Sequence, residues 1–146
     1  MACIGIFDSG SGGLSVLKEI LRVLPGEHFI YYSDDGHCPY GNKSTEYILD
    51  RSKSIAKELI EDGAQVIVIA CNTATAASIK TLRQDWPEIP FIGMEPAVKP
   101  AAALSESGVV GVLATESTLH AEKYIRMREK YSSGVKVVER CGKGFV

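Results

Sequence analysis

The sequence has no CxxC pair, no long uncharged apolar run and no marked excess of either charge. Its four cysteines, Cys3, Cys38, Cys71 and Cys141, are scattered, so neither a zinc ribbon nor a thioredoxin-type motif can be drawn. In a reducing compartment each is expected to be a buried free thiol, although Cys71 has a second reading given below. No apolar stretch approaches the roughly 20 residues that span a bilayer, which argues against a membrane protein. The N-terminal Met1-Ala2-Cys3-Ile4-Gly5-Ile6-Phe7-Asp8 lacks a basic region and meets an acid early, so it does not read as a signal peptide. A soluble cytoplasmic protein is the default expectation. Lys plus Arg is 16 against 18 for Asp plus Glu, a net charge of −2, which offers nucleic acid or an anionic membrane no bulk attraction. His37 and Cys38 beside Asp34 and Asp35 are neighbours in sequence rather than a zinc set, and no metal is expected.

What is present is 14 glycines in 146 residues of otherwise ordinary globular composition, 45% of them hydrophobic. Length alone suggests one domain. The glycines cluster where strands meet helices. A short apolar run at 4–7 is followed by Asp8-Ser9-Gly10-Ser11-Gly12-Gly13, and then by Leu14, Leu17, Ile20, Leu21 and Leu24 at helical spacing. A second strand is expected over 28–33, a loop over 34–42, a helix over 44–61 and a strand buried on both faces over 66–70. A third helix over 73–83, with Thr73 as its cap residue, leads to a short strand at 91–92. Beyond a boundary near 93–100 the spacing predicts a turn with a short helix, a strand at 109–114, one helix over 118–131 and a last strand at 135–138. Alternating strands and helices imply an α/β architecture with a mainly parallel sheet.

Ligands in such sheets sit beyond the carboxyl ends of the strands. Three polar clusters fall there: Asp8-Ser9-Gly10, Pro39-Tyr40-Gly41 and Cys71-Asn72-Thr73. A thiol at a strand-to-helix junction can meet orphan N–H groups that lower its pKa and hold an anion. Asn72 and Thr73 add side-chain donors. Asp8 either closes an Asx-turn on its own loop or orients a catalytic group or a substrate ammonium. Gly10, Gly12 and Gly13 permit a tight turn and close approach to a ligand. Tyr40-Gly41 offers backbone N–H groups or a phenol, or is a turn with a packed ring. Two other classes fit the same residues. One is a non-catalytic α/β module that binds an amino acid or small anion. The other is a cysteine hydrolase that takes its base from His28, His37 or His120.

Gly5-Ile6-Phe7-Asp8-Ser9-Gly10-Ser11-Gly12-Gly13, Pro39-Tyr40-Gly41, Ala70-Cys71-Asn72-Thr73-Ala74 and Gly93-Met94-Glu95-Pro96-Ala97 together resemble bacterial glutamate racemase. Val112-Leu113-Ala114-Thr115 resembles the opening of that family's second domain. The resemblance implies a two-domain α/β fold of parallel-sheet, three-layer type and cofactor-independent interconversion of L- and D-glutamate for peptidoglycan. It casts Cys71 as one of two catalytic thiols and Asp8 as its assistant. Asp8, Ser9, Tyr40, Gly41, Asn72 and Thr73 become substrate contacts. It implies glutamate as the partner, with no nucleic acid or membrane, and allows a homodimer of the full-length enzyme. The family's second cysteine lies in a Gly-Cys-Thr-His motif that this sequence lacks, and Cys141 does not fit it. Residues 1–95 are therefore expected to form a first domain without its return segment. Residues 96–146 are expected to be the crossover and the start of a second, truncated domain. The 146 residues alone are expected to be inactive as a racemase.

Overall fold

A computed structural model describes residues 1–144. Phe145 and Val146, the end of the tail that begins at Cys141, lie outside the described residues. The chain divides into two compact units, Met1–Met94 and Glu95–Val146.

The first unit is built on four parallel strands, β1 (Cys3–Asp8), β2 (His28–Ser33), β3 (Val66–Ile69) and β4 (Phe91–Gly93), in the order β2-β1-β3-β4. Helices cover both faces, as all-parallel sheets require. On one face α1 (Leu14–Val23) lays Val16, Leu17 and Ile20 over Ile4, Ile6 and Val68. On the other, α2 (Thr45–Glu61) and α3 (Asn72–Asp85) bury Ile48, Ile55, Leu59, Ala74 and Leu82 against Phe7, Ile67, Ile69 and Phe91. The alternation along β1 produces this division, because Ile4 and Ile6 point one way and Phe7 the other. Gly5 lets α2 approach. A Cβ there would stand 3.1 Å from that of Ala64 and 3.2 Å from Leu59 Cδ1. Ser44 caps α2 by accepting from the Tyr47 N–H. The unit is thus an α/β, parallel-sheet, three-layer structure, as the sequence predicts.

The second unit contains α4 (Val98–Leu104), a parallel pair β5 (Val109–Ala114) and β6 (Lys136–Cys141), and two helices between them. Here the expected single helix over 118–131 is corrected. It is broken into α5 (Glu116–Leu119) and α6 (Glu122–Tyr131), with His120 closing one and Ala121 in extended backbone starting the other. The physical reason lies in Thr118 and Tyr124, which are both buried. Six positions apart, they would lie on different faces of one continuous helix with 3.6 residues per turn. The last strand is also longer than expected, reaching Cys141. The Tyr124 hydroxyl donates to Glu139 Oε1 at 2.6 Å, and Arg128 donates to the same oxygen at 2.8 Å. Tyr124→Phe removes the first bond but leaves Glu139 with Arg128. It is expected to lower stability by about 1 kcal/mol in urea unfolding.

The cysteines also depart from expectation. Cys71 is buried, Cys3 is only half-buried at the entry to β1, and Cys38 and Cys141 are exposed. Cys38 lies in a polar loop and Cys141 at a strand end, so neither has an apolar layer to cover it. Among the described residues no helix is long and apolar enough to cross a membrane.

Candidate functional site

The registers Asp8↔Ser33 and Phe7↔Ile69 bring the carboxyl ends of β2, β1 and β3 level. The strand order reverses between β1 and β3, which opens a crevice at that edge. Asp8-Ser9 enters it from β1 and Cys71 from β3. The Cys71 thiol donates to Ser9 Oγ at 3.6 Å, and the Ala74 N–H donates to Cys71 Sγ at 3.4 Å. Cys71, not Thr73, is therefore the residue that caps α3. Thr73 is buried in the first turn of the helix, while Asn72 is exposed.

Asp8 ties down the glycine loop. Its Oδ2 accepts from the Gly13 N–H at 2.8 Å, and its own carbonyl accepts from the Asp34 N–H at 3.0 Å. The Gly10 carbonyl receives two hydroxyls, from Tyr31 at 3.1 Å and Ser33 at 2.8 Å. Gly13 must be glycine for reasons of space, since a Cβ there would lie 2.7 Å from Asp8 Cβ, 2.9 Å from Tyr31 Oη and 3.0 Å from Ala70 Cβ. Gly13→Ala is expected to cost about 1–3 kcal/mol, read as a lowered melting temperature, and to accelerate amide exchange in the loop.

Burial pushes the Cys71 thiol up. Hydrogen bonds from the Ala74 N–H and from Ser9 work against that rise, and the nearby Asp8 carboxylate adds to it. The expectation that N–H groups at the helix start would lower this pKa is thus corrected. The donors are present, but desolvation of a buried thiolate outweighs them. The arrangement is a buried thiol beside one directed N–H and one hydroxyl, both of which can donate to the sulfur when it is ionised.

Tyr40 belongs to a different construction. Its ring is buried in the main core, and its hydroxyl donates to Asp34 Oδ2 at 2.5 Å. Of the readings left open for Tyr40-Gly41, the packed ring is the one observed, and what the loop can offer a ligand is its backbone. Asp34, only 3% exposed, gathers two further partners. Arg51 reaches across from α2, with Nε 3.1 Å from Oδ2 and Nη2 2.7 Å from Oδ1, and His37 Nδ1 lies 2.9 Å from Oδ1. Burial alone would raise the Asp34 pKa, but the bonds from Arg51, Tyr40 and His37 outweigh it and hold the carboxyl below its usual value. Tyr40 is pushed far above the usual phenol value, first by burial and then by Asp34.

Cys71 hydrogen-bonds to Ser9 and Ala74, and each histidine has its own setting. His37 is engaged by Asp34, and His28 opens β2 at the edge opposite Cys71. His120 lies in the second unit and contacts the Glu116 carbonyl. Among the described residues no group of three or more His, Cys, Asp or Glu side chains could hold a metal ion.

The family model described as Asp/Glu/Hydantoin racemase matches residues 4–142. The chain belongs to this racemase family. It is 52% identical over 145 residues to the glutamate racemase of Ectopseudomonas mendocina (strain ymp), covering 99% of this chain and 55% of that protein. Against the glutamate racemase of Pseudomonas aeruginosa (strain PAO1) the identity is 49% with the same coverage. The solved structure of Escherichia coli glutamate racemase in complex with L-glutamate and the activator UDP-MurNAc-ala aligns with a TM-score of 0.91 at 36% identity, over 97% of this chain and 53% of that one. Glutamate racemase from Aquifex pyrophilus aligns at 0.85 and 36%, over 99% and 56% of the two chains. The chain therefore spans about half the length of the curated relatives it matches.

Within this racemase-family chain the structure brings Asp8, Ser9 and Cys71 to one edge and places Tyr40-Gly41 in the loop after β2. Asn72 and Thr73 begin α3 at the same edge, adjoining the thiol. Asp34 and Arg51 are the residues that sequence reading misses. Asp34 is placed at a carboxyl strand end, a signal that could have singled it out. Arg51 has none, because seventeen positions separate it from its partner.

Proposed function

We propose that this chain carries one half of a glutamate racemase site, with Cys71 as one of two thiols that move the α-proton of glutamate without a cofactor. The observation that carries the reading is the buried Cys71 thiol, set between Ser9 and the Ala74 N–H at the crevice edge, in a chain 52% identical to a glutamate racemase. Racemisation removes the α-proton on one face and returns a proton on the other, so acid–base groups must flank the carbon. As thiolate, Cys71 takes the proton on its side. The charge that develops on the substrate needs directed donors, because no cofactor serves as electron sink. Ser9, Asn72, Thr73 and the Tyr40-Gly41 backbone are the candidates, with Asp8 meeting the substrate ammonium and assisting the thiol. The D-glutamate formed would serve peptidoglycan synthesis.

The sequence has no Gly-Cys-Thr-His stretch to provide the opposite thiol. The 146 residues alone are accordingly proposed to bind glutamate but not to racemise it efficiently. Two measurements test this. Incubation with L-glutamate should give no D-glutamate at a rate comparable to a full-length racemase. L- or D-glutamate should slow alkylation of Cys71, while the exposed Cys38 and Cys141 react unchanged. Alkylation of Cys71 that ignores both enantiomers would overturn the reading. Binding that persists in Cys71→Ser, with no α-hydrogen exchange in the unaltered chain, would favour a non-catalytic module.

A further inference from the structure

Asp34 is the most heavily bonded side chain near the crevice, yet no step of the proton transfer uses it. Three side chains from three places in the sequence converge on its two oxygens: Arg51 from α2, His37 from the turn after β2, and Tyr40 from the following turn. Arg51 engages both oxygens, a forked geometry that fixes the plane of the carboxylate. That plane in turn fixes where the Tyr40 hydroxyl must lie. Tyr40 is then held from both ends, its ring in the core and its hydroxyl on Asp34. Its carbonyl accepts from the Lys43 N–H at 3.0 Å, closing the short turn Tyr40–Asn42 that carries Gly41. The Asp34 N–H meanwhile bonds to the Asp8 carbonyl, so the same residue links this turn to the strand that carries Asp8.

We infer that Asp34 and Arg51 are positioning residues for the Tyr40-Gly41 turn, setting through Tyr40 the backbone that meets a carboxylate of the ligand. This rests on the functional reading above only for the identity of that ligand. The network takes the phenol out of ligand contact and leaves the turn's backbone to do the recognition. A misplaced backbone donor weakens binding without touching the thiol.

The test uses the 146-residue chain with Arg51→Met, Arg51→Lys, Asp34→Asn and Tyr40→Phe. Tyr40→Phe keeps the buried ring and removes only the hydroxyl, so it remains informative if the others fold poorly. Two readouts are taken: amide hydrogen exchange of the segment 38–44 against that of β3, and protection of Cys71 from alkylation by L-glutamate. The inference expects exchange in 38–44 to rise about tenfold in Tyr40→Phe and, in Arg51→Met, about tenfold beyond the rise that global destabilisation gives β3. The glutamate concentration giving half-protection should rise by about the same factor. Arg51→Lys should not rescue either readout, because a lysine cannot bond both oxygens in one plane. In Asp34→Asn the further change to Tyr40→Phe should add little, since the two act through one bond. Unchanged exchange in 38–44 overturns the inference. So does a loosened turn with unchanged glutamate protection, which would make the network purely architectural. If the unaltered chain shows no glutamate protection, the functional reading fails and takes the ligand assignment with it, while the exchange data still decide whether Asp34 and Arg51 hold the turn.

Discussion

Cys71→Ser is expected to leave the fold intact and to reduce exchange of glutamate's α-hydrogen with solvent by about 10²–10⁴-fold, the usual contribution of a positioned acid–base group. Serine can take over the structural duties. Its oxygen can accept from the Ala74 N–H as Sγ does, and hydroxyls are common helix caps. What it cannot do is ionise at any accessible pH. The experiment is proton NMR of L- and D-glutamate in D2O with each protein, and equal loss of the α-proton signal in both would reject Cys71 as the base. Burial raises the Cys71 pKa, so the thiolate fraction is small near neutrality and grows with alkaline pH. Exchange by the unaltered chain should climb over that range, and alkylation of Cys71 without glutamate should climb with it. Asp8→Asn removes a nearby negative charge that raises the thiol pKa, so the alkylation profile should move toward lower pH.

Arg51→Met has the largest expected effect on stability. It removes the forked partner of a carboxylate that is 3% exposed, and stranding a buried charge in this way costs about 3–5 kcal/mol. Tyr40 and His37 remain on Asp34, which places the expectation at about 3 kcal/mol, the lower end of that range. Urea unfolding at neutral pH measures it, and a loss under 1 kcal/mol would mean that water replaces the guanidinium fully. The pH dependence provides a second check. The folded-state pKa of Asp34 lies below its unfolded value, so its stabilising contribution is present above the unfolded value near 4 and is lost as pH falls through the folded one. Arg51→Met raises that folded pKa. The gap between the two proteins should therefore be full at neutral pH and narrow in acid.

The sheet was readable in the sequence because its signals are local. Apolar runs of four to six residues, each followed by a polar turn and a helical period, specify β1, β2 and β3 and put their ends on one side. The candidate site was readable for the same reason: Asp8-Ser9 and Cys71-Asn72-Thr73 each follow a strand directly. Long-range effects were not. The pairing of Asp34 with Arg51 depends on how α2 crosses the sheet, and no spacing rule encodes it. The break at His120-Ala121 depends on two buried side chains needing one interior, a demand that helical periodicity along 118–131 hides. The elevated Cys71 pKa depends on how much core surrounds the junction, and this outweighs the visible donors.

In Cys71 a proposed chemical role and a structural one meet at a single atom. The sulfur proposed to move protons is also the acceptor that closes the first turn of a fourteen-residue helix. A thiolate accepts an N–H bond more strongly than a thiol does, so each proton gained or lost at Sγ alters the grip on the start of α3. Asn72 and Thr73 sit on that same turn. Proton state and the set of the adjacent pocket wall are thereby one variable, and a ligand that prefers the tightened turn favours the ionised sulfur it needs.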